Sequence, residues 1–334
     1  MTATIEVRNL HTYFHAEEGR LPAVRGVGFS ISRGETLGLV GESGCGKTVT
    51  ALSLMRLVPP PGAVETGSIL LRSREEKELD ILSLPEREMR EVRGKEMAMV
   101  FQEPMTSLNP VYTIGDQIME AILVHEPVGR SEASRRAVDL LRDVNFPDPS
   151  SRMEDYPHQL SGGQRQRVMI AMALACRPGV LIADEPTTAL DVTVQARILN
   201  LLSRLRDGYR MAVLLVTHDL GVVAQETDGV AVMYLGRIVE TASTPDLFTC
   251  PCHPYTRALM ESIPRLGEEK RRLKTIRGNV PTLRRIPGGC SFHPRCPLAE
   301  EICWREEPVS TEIAPGHWVE CHLAKEKSQI TNPK

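Results

Sequence analysis

A glycine-rich loop between a buried strand and a helix constrains the fold of this chain more than any other feature. The loop, GESGCGKT, occupies residues 41–48. It follows the apolar run 36–40, which predicts a strand, and it precedes residues 48–58, which predict a helix. Glycines let the backbone curl so that several N–H groups point at phosphate oxygens, and the helix adds the positive end of its dipole. The sequence therefore predicts an α/β fold with a phosphate-binding loop.

The loop residues indicate how a nucleoside triphosphate and its Mg²⁺ would be held. Lys47 is placed to reach the β and γ phosphates. The Thr48 hydroxyl is the expected magnesium ligand, because Mg²⁺ keeps most of its waters and takes few protein oxygens. The nucleotide contacts predicted in this loop are Gly41, Ser43, Gly44, Cys45, Gly46, Lys47 and Thr48.

Two further apolar runs end in side chains that suit phosphate hydrolysis. Residues 180–183 form an uninterrupted apolar run that ends in Asp184 and Glu185, as a strand covered on both faces would. The run 211–216 ends in Thr217 and His218. Ligands collect beyond the carboxyl ends of such strands, so these groups are expected at one edge of the sheet.

The pentapeptide LSGGQ at residues 160–164, together with the glycine loop and the acidic strand end, resembles the ATP-binding cassette (ABC) family. The resemblance implies an ATPase subunit, with a P-loop NTPase cassette that has a mixed sheet and a helical subdomain. It also implies that Asp184 holds Mg²⁺ through water, that Glu185 is the general base and that His218 senses the γ-phosphate. Gln102, in MVFQEP, matches the Q-loop of the family, whose amide contacts magnesium or the attacking water.

The same resemblance implies that two subunits share each ATP. Ser161, Gly163 and Gln164 stand at the start of a predicted helix, which is an anion site. In the family this site grips the γ-phosphate that the opposite subunit holds. Asp191, in TTALD, matches the D-loop beside the attacking water, and it also fits the N-cap of the next helix.

An aromatic residue near the N-terminus is the candidate for adenine stacking. Residues 7–14 resemble the first strand of the cassette, and Phe14 falls at the stacking position of the family. Tyr13 is the alternative, and either ring fits equally well in a core.

Helical periodicity is strongest at residues 131–144 and 191–207. Ser131 is the predicted N-cap of the first helix, and Gly208 is the predicted stop of the second. Both predictions rest on the preference of these residue types for helix ends.

The predicted domains follow from these elements and from the resemblance. A cassette at residues 1–235 contains an insertion at 103–176, which resembles the helical subdomain that docks on membrane subunits. Residues 236–334 form a C-terminal extension with a small cysteine-rich domain.

Four cysteines define a module at residues 290–321 of the extension. The gaps between Cys290, Cys296, Cys303 and Cys321 are five, six and seventeen residues, without the CxxC pairs of common zinc ribbons. Four soft ligands predict a metal site, because disulfides are rare in the cytosol. The segments GGCSFHPRCPLAEEIC and GHWVECHL resemble the C-terminal domain of oligopeptide and dipeptide importer ATPases. Some of these carry a 4Fe-4S cluster on such cysteines, so a cluster is expected here, with Zn²⁺ as the alternative and four unligated thiols as the remaining one.

The other polar groups of the extension are given simpler roles. Cys250 and Cys252 are assigned no metal, because Pro251 makes joint ligation by the two thiols awkward. His317 is predicted to be structural.

Composition excludes several classes of partner. A formal net charge of −3 and a pI near 6.3 argue against general binding to nucleic-acid phosphates. The longest apolar runs are far shorter than the ~20 residues that span a bilayer, and the N-terminus lacks a signal-peptide core. The predicted location is the cytoplasmic face of the membrane, as a peripheral subunit.

The resulting hypothesis is an ATPase that powers import of dipeptides or oligopeptides. The resemblance implies a second, non-identical ATPase, two transmembrane permease subunits and an extracytoplasmic binding protein as partners. A nickel or other small-solute importer of the same build is the alternative. A non-transport cassette ATPase is the remote alternative, because it would need coiled-coil insertions or a second cassette.

Overall fold

The elements of the fold come from a computed structural model, which describes residues 3–17, 19–102, 107–188, 190–262 and 276–324. The strands are β1 (Ala3–Ala16), β2 (Gly19–Ser32), β3 (Thr36–Val40), β4 (Gly62–Arg72), β5 (Glu78–Asp80), β6 (Met97–Val100), β7 (Val180–Asp184), β8 (Ala212–Thr217), β9 (Gly229–Tyr234), β10 (Arg237–Ser243), β11 (Thr311–Ala314) and β12 (His317–Val319). The helices are α1 (Lys47–Leu54), α2 (Glu86–Val92), α3 (Ile114–His125), α4 (Arg130–Asp143), α5 (Gly162–Ala173), α6 (Val192–Tyr209), α7 (Leu220–Glu226), α8 (Thr244–Thr249), α9 (Pro254–Glu261) and α10 (Glu301–Arg305).

The chain divides into two units, each discontinuous in sequence. The first unit takes its described residues from the ranges 1–6, 30–35 and 70–215. The second takes its described residues from 7–29, 36–69 and 216–334. The predicted cassette and extension boundaries at residue 235 stay a prediction, since these units are divided by contacts and not by family.

In the first unit, parallel strands and helices enclose one apolar core. β6 and β7 pair in parallel, with Met97 opposite Val180. β8 is the other neighbour of β7, and the end of β4 pairs antiparallel with β5. Side chains of α3, α4, α5 and α6 pack with β6, β7 and β8 in the core. The helical periodicity predicted at residues 131–144 is confirmed by α4, whose Ala137, Leu140 and Leu141 are buried in this core.

In the second unit, the sheet is mixed and continues into the C-terminal extension. The strand order is β11-β12-β10-β9-β3. β3 and β9 are parallel, whereas β10 is antiparallel to both β9 and β12. β3 has the predicted bounds and is buried throughout. The glycine loop therefore starts from the end of a buried strand.

Three predicted helix ends are wrong. α6 runs through Gly208 and ends at Tyr209, because the buried face with Leu201 and Leu205 offsets the ~1 kcal/mol penalty of a helical glycine. The N-cap of α4 is Gly129 and not Ser131, since the carbonyl of Gly129 already accepts the first helical hydrogen bond from the Ala133 N–H. α1 ends at Leu54, well before residue 58.

Candidate functional site

The glycine loop has the backbone conformation that a phosphate cradle needs. Gly41 has φ 156°, and a Cβ there would lie 2.2 Å from the carbonyl oxygen of Met233. Gly46 has φ 107°, and its Cβ would lie 2.5 Å from the carbonyl oxygen of Ala23. Only glycine fits at these two positions, because any side chain would collide with neighbouring backbone.

Lys47 and Cys45 lie inside this loop. The Lys47 ammonium donates to the carbonyl oxygens of Gly41 (2.8 Å) and Glu42 (3.1 Å), so its charge is held at the loop interior. Cys45 is 1% exposed, and burial raises the pKa of its thiol. Cys45 is therefore a packing residue with a protonated side chain, whereas Ser43, Gly44 and Thr48 are exposed.

In the first unit, the end of β7 brings two of the predicted catalytic side chains together. Asp184 is the last residue of β7 and is 2% exposed. Glu185 follows with φ 45°, a conformation that non-glycine residues rarely adopt and that is enriched at functional sites. The Gln102 amide donates to Glu185 Oε2 at 3.3 Å. Gln102 and Glu185 thus meet at the end of β7.

Thr188 is a member of this group that the sequence reasoning missed. Its hydroxyl donates to Glu185 Oε2 at 2.8 Å, a shorter contact than that of Gln102. The available signal was a hydroxyl three residues after the carboxylate, in the loop that leads to α6. We call Gln102, Asp184, Glu185 and Thr188 the catalytic edge.

The LSGGQ segment forms a capped helix start in the same unit. Ser161 is the N-cap of α5, and a capping box joins it to Gln164 in both directions. A Cβ on Gly163 would lie 2.8 Å from Val194 Cγ1, so the glycine lets α5 approach α6 closely. Asp191 caps α6 by accepting from the Val194 N–H at 3.0 Å, which confirms the capping part of its predicted role.

The remaining nucleotide candidates lie in the second unit. His218 is exposed directly after β8. The Phe14 ring packs on Gly62, where a Cβ would lie 2.7 Å from Phe14 Cε1. The Arg20 guanidinium lies 3.5 Å from the centroid of the Tyr13 ring and covers one of its faces. Adenine stacking on Phe14 stays a prediction.

The four cysteines of the module at residues 290–321 are neighbours. The Cys290 N–H donates to the carbonyl oxygen of Cys303 at 2.8 Å. Burial raises the pKa of the Cys290 thiol to about 11, and the nearby thiols of Cys303, Cys321 and Cys296 act in the same direction. None of the eight cysteines, all within the described residues, forms a disulfide. The donor set fits a thiolate-bound metal group.

A second cluster, formed by Glu240, Cys252 and His317, is buried and includes one residue of the module, His317. Histidine, cysteine, aspartate and glutamate side chains can all bind metals. Within the described residues, this is the one group of three or more of them whose ligand atoms all lie within 4.8 Å of one another. Glu240 accepts from the backbone N–H groups of Cys252 (2.7 Å) and His253 (2.9 Å) and contacts His317 Nε2 at 2.8 Å. These donors satisfy the buried carboxylate and tie β10 to β12, which agrees with the structural role predicted for His317.

Pro251 separates two thiols that nevertheless lie close together, and the prediction that Cys250 and Cys252 hold no metal jointly stays a prediction. The Sγ atoms of Cys250 and Cys252 lie 3.8 Å apart. The backbone N–H bonds of Cys252 and His253 to Glu240 fold this segment tightly and turn both thiols to the same side.

No helix in the part of the chain that the structure describes is long and apolar enough to cross a membrane.

A glycine loop that enters a helix and a carboxylate pair after a buried strand define a P-loop nucleotide-binding protein.

Comparison with known proteins specifies the family. The sequence model for "ABC transporter" matches residues 24–188, and the model for "Oligopeptide/dipeptide transporter, C-terminal region" matches residues 239–303. The chain belongs to the ABC transporter family, as an ATPase subunit of the oligopeptide/dipeptide transporter group.

Full-length relatives and a solved structure agree with this assignment. The chain is 54% identical to the "Probable peptide ABC transporter ATP-binding protein y4tR" of Sinorhizobium fredii, over 96% of this chain and 95% of the relative. It is 48% identical to the dipeptide transport ATP-binding protein DppD of Escherichia coli, over 96% of both chains. The dimeric post-hydrolysis structure of the ATP-binding cassette MJ0796, bound to ADP and Pi, matches with a TM-score of 0.64 and 25% identity, over 72% of this chain and 98% of that chain.

Proposed function

We propose that this chain hydrolyses ATP to power the import of dipeptides or oligopeptides through a multi-subunit ABC transporter. The observation that carries the proposal is the order of the two family matches. A cassette at residues 24–188 is followed in the same chain by the oligopeptide/dipeptide transporter region at residues 239–303. Peptide-transport relatives match over 96% of this chain.

The proposed hydrolysis uses the groups of the glycine loop and of the catalytic edge. Lys47 and the loop N–H groups would bind the phosphates, and Thr48 and Asp184 would hold Mg²⁺, whose charge would offset that of the phosphates. Glu185 takes the proton of the attacking water, for which Gln102 and Thr188 orient its carboxylate. His218 senses the γ-phosphate.

We further propose that two cassettes bind ATP between them. Ser161, Gly163 and Gln164 of one chain would contact the γ-phosphate held by the glycine loop of another, with Asp191 beside it. The capped start of α5, with exposed Ser161, supports this role, because helix N-termini bind anions. The partner is a related ATPase chain, and two permease subunits and an extracytoplasmic binding protein complete the transporter at the membrane. The helical subdomain at residues 103–176, of which 103–106 lie outside the described residues, would contact the permeases.

For the cysteine module we propose a 4Fe-4S cluster on Cys290, Cys296, Cys303 and Cys321. The module supplies the four thiolates that ligate such a cluster, and none of the four cysteines, all described, is used in a disulfide.

Analysis of iron, sulfide and zinc on anaerobically purified protein tests the cluster. About four irons and four sulfides, lost in Cys296→Ser and Cys303→Ser but kept in Cys250→Ser, is the expected result. One zinc per chain without iron would contradict the cluster and indicate a zinc site instead.

ATP turnover of Glu185→Gln tests the proposed hydrolysis. The amide cannot accept the proton of the attacking water, so kcat should fall by about 10³-fold while ATP binding is retained. Glu88→Gln, which changes an exposed carboxylate on α2 of the same unit, is the matched control. Wild-type turnover in Glu185→Gln would remove Glu185 from the role of general base.

A further inference from the structure

An arginine of the cysteine module is bound to a glutamate of the glycine loop. Arg295 lies in a 3₁₀ turn (His293–Arg295) directly before Cys296. Its two terminal nitrogens donate to both carboxylate oxygens of Glu42, at 2.6 and 3.0 Å. Its Nε donates to the carbonyl oxygen of Arg277 at 3.0 Å. This is the planar, two-bond geometry in which an arginine–carboxylate pair is strongest.

The pair is shielded from solvent on the arginine side. The Arg295 side chain is 4% exposed and that of Glu42 is 26% exposed. The hydrogen bonds to Glu42 raise the pKa of Arg295 further above its already high value, so the guanidinium is permanently charged. Such pairs differ from the exposed ion pairs of the surface, whose contribution is small.

The backbone of Glu42 is fixed from the same direction. Its N–H donates to the Tyr255 hydroxyl at 2.8 Å. Tyr255 is fully buried, and its ring lies 4.7 Å from that of Tyr234 and 5.3 Å from that of Phe292, measured between centroids. Phe292 belongs to the cysteine module. The module and its aromatic neighbours therefore hold both the side chain and the main chain of Glu42.

Glu42 stands where its position and charge affect phosphate binding. Its carbonyl oxygen is one of the two that accept a hydrogen bond from the Lys47 ammonium. A displaced Glu42 would therefore shift the lysine that reaches the phosphates. An unpaired Glu42 carboxylate would also repel the triphosphate, and Arg295 neutralises that charge.

We propose that Arg295 is a positioning residue for ATP, through which the folded cysteine module sets the affinity of the glycine loop. The inference rests on the proposed function, because it assumes that this loop binds ATP. It assigns the module a second task beside holding a metal group: an ordered module pairs Glu42 and keeps the loop in its binding conformation.

The experiment is an ATP titration of the full-length chain, followed by isothermal calorimetry. Arg295→Met should raise Kd about tenfold, because it leaves the Glu42 carboxylate unpaired beside the phosphates. Arg295→Lys should lie between this variant and the wild type, since it keeps the charge but loses the two-bond geometry. Arg305→Met, which removes an exposed arginine of the same module that pairs with Glu301, should bind ATP like the wild type.

A second variant distinguishes an effect of the Glu42 charge and position on ATP affinity from a loss of affinity caused by unfolding of the module. In Arg295→Met/Glu42→Gln the repelling carboxylate is gone, so Kd should recover part of the loss. A purely structural role of Arg295 would give the double variant no recovery. Metal content and the emission of Trp304 and Trp318, the two tryptophans of the chain and both in the module, report whether the module is folded.

The outcomes distinguish this inference from the proposed function. A wild-type chain that binds no ATP would overturn the proposed function. A wild-type chain that binds ATP, with a folded Arg295→Met variant whose Kd lies within about twofold of it, would overturn the positioning role alone.

Discussion

The glycine loop and the catalytic edge hold their functional groups in different ways. The loop is enclosed by backbone: a Cβ on Gly41 or Gly46 would collide with the carbonyl of Met233 or Ala23, and the Gly236 N–H donates to the Cys45 carbonyl at 2.8 Å. The catalytic edge relies on side chains. Glu185 is half-buried and receives hydrogen bonds from Gln102, which is exposed, and from Thr188.

This difference separates binding from chemistry. A cradle made of backbone is stiff and specific for phosphate shape, and a change in it disturbs folding and binding together. A carboxylate held by two side-chain hydrogen bonds and a strained backbone can shift between arrangements at small energetic cost. Mutations in the loop should therefore lower stability and affinity, whereas mutations of the side chains that hold Glu185 should lower kcat alone.

The largest effect is expected from Gly41→Ala. The new Cβ would meet the Met233 carbonyl, so the free energy of unfolding should fall by about 3 kcal/mol, and ATP affinity should fall by at least about tenfold. Gly44→Ala is the matched control in the same loop, because no atom lies within 4 Å of its Cβ and only its φ of 78° disfavours alanine. Urea unfolding and ATP titration measure both quantities. Equal destabilisation by the two substitutions would show that the backbone does not enclose the loop tightly.

A smaller effect, on kcat alone, is expected from Thr188→Val. Valine keeps the shape of the side chain and removes the hydrogen bond to Glu185 Oε2, so kcat should fall about five- to tenfold. The Kd for ATP and the free energy of unfolding should stay at their wild-type values. Thr187→Val, one residue away, is the control for steady-state turnover. A change in Kd comparable with the change in kcat would break the separation between binding and chemistry.

The smallest effect concerns a contact outside both regions. The Tyr209 hydroxyl donates to Asp143 Oδ2 at 2.7 Å, and burial, followed by this contact, raises the pKa of Tyr209 to about 12 from 10.0. As pH rises past 10 the unfolded chain releases this proton first. The stabilisation is therefore complete below pH 10 and is lost as pH rises through 12.

Tyr209→Phe removes this dependence. Between pH 8 and pH 11, the free energy of unfolding should fall by less in this variant than in the wild type. The difference between the two decreases should be below about 1 kcal/mol. Tyr112→Phe, at a tyrosine that is 55% exposed, should follow the wild type. Urea unfolding at the two pH values measures this change. The same decrease in the free energy of unfolding for all three chains would show that the contact with Asp143 is not linked to stability.

Sequence alone predicted the elements that depend on local pattern. An uninterrupted apolar run fixed the bounds of β3, and the helix start predicted at the LSGGQ segment is confirmed as the start of α5. The hydrogen bond between Gln102 and Glu185 was not predicted, since nothing local joins residues so distant in sequence.

What the sequence did not predict depends on tertiary packing. Gly208 lies within α6 because the buried leucine face of that helix outweighs its weak propensity. The thiols of Cys250 and Cys252 meet because the distant carboxylate of Glu240 folds the segment between them. The bond between Arg295 and Glu42 joins residues about 250 positions apart and leaves no local signal.

Uptake of a labelled dipeptide into cells tests the proposed function most directly. A strain that lacks its own copy of this subunit would be complemented with the wild type, Glu185→Gln or Glu88→Gln. We expect uptake with the wild type and with Glu88→Gln, and none with Glu185→Gln. Equal dipeptide uptake with and without the wild-type subunit, under conditions in which nickel uptake depends on it, would contradict peptide import and establish the alternative solute.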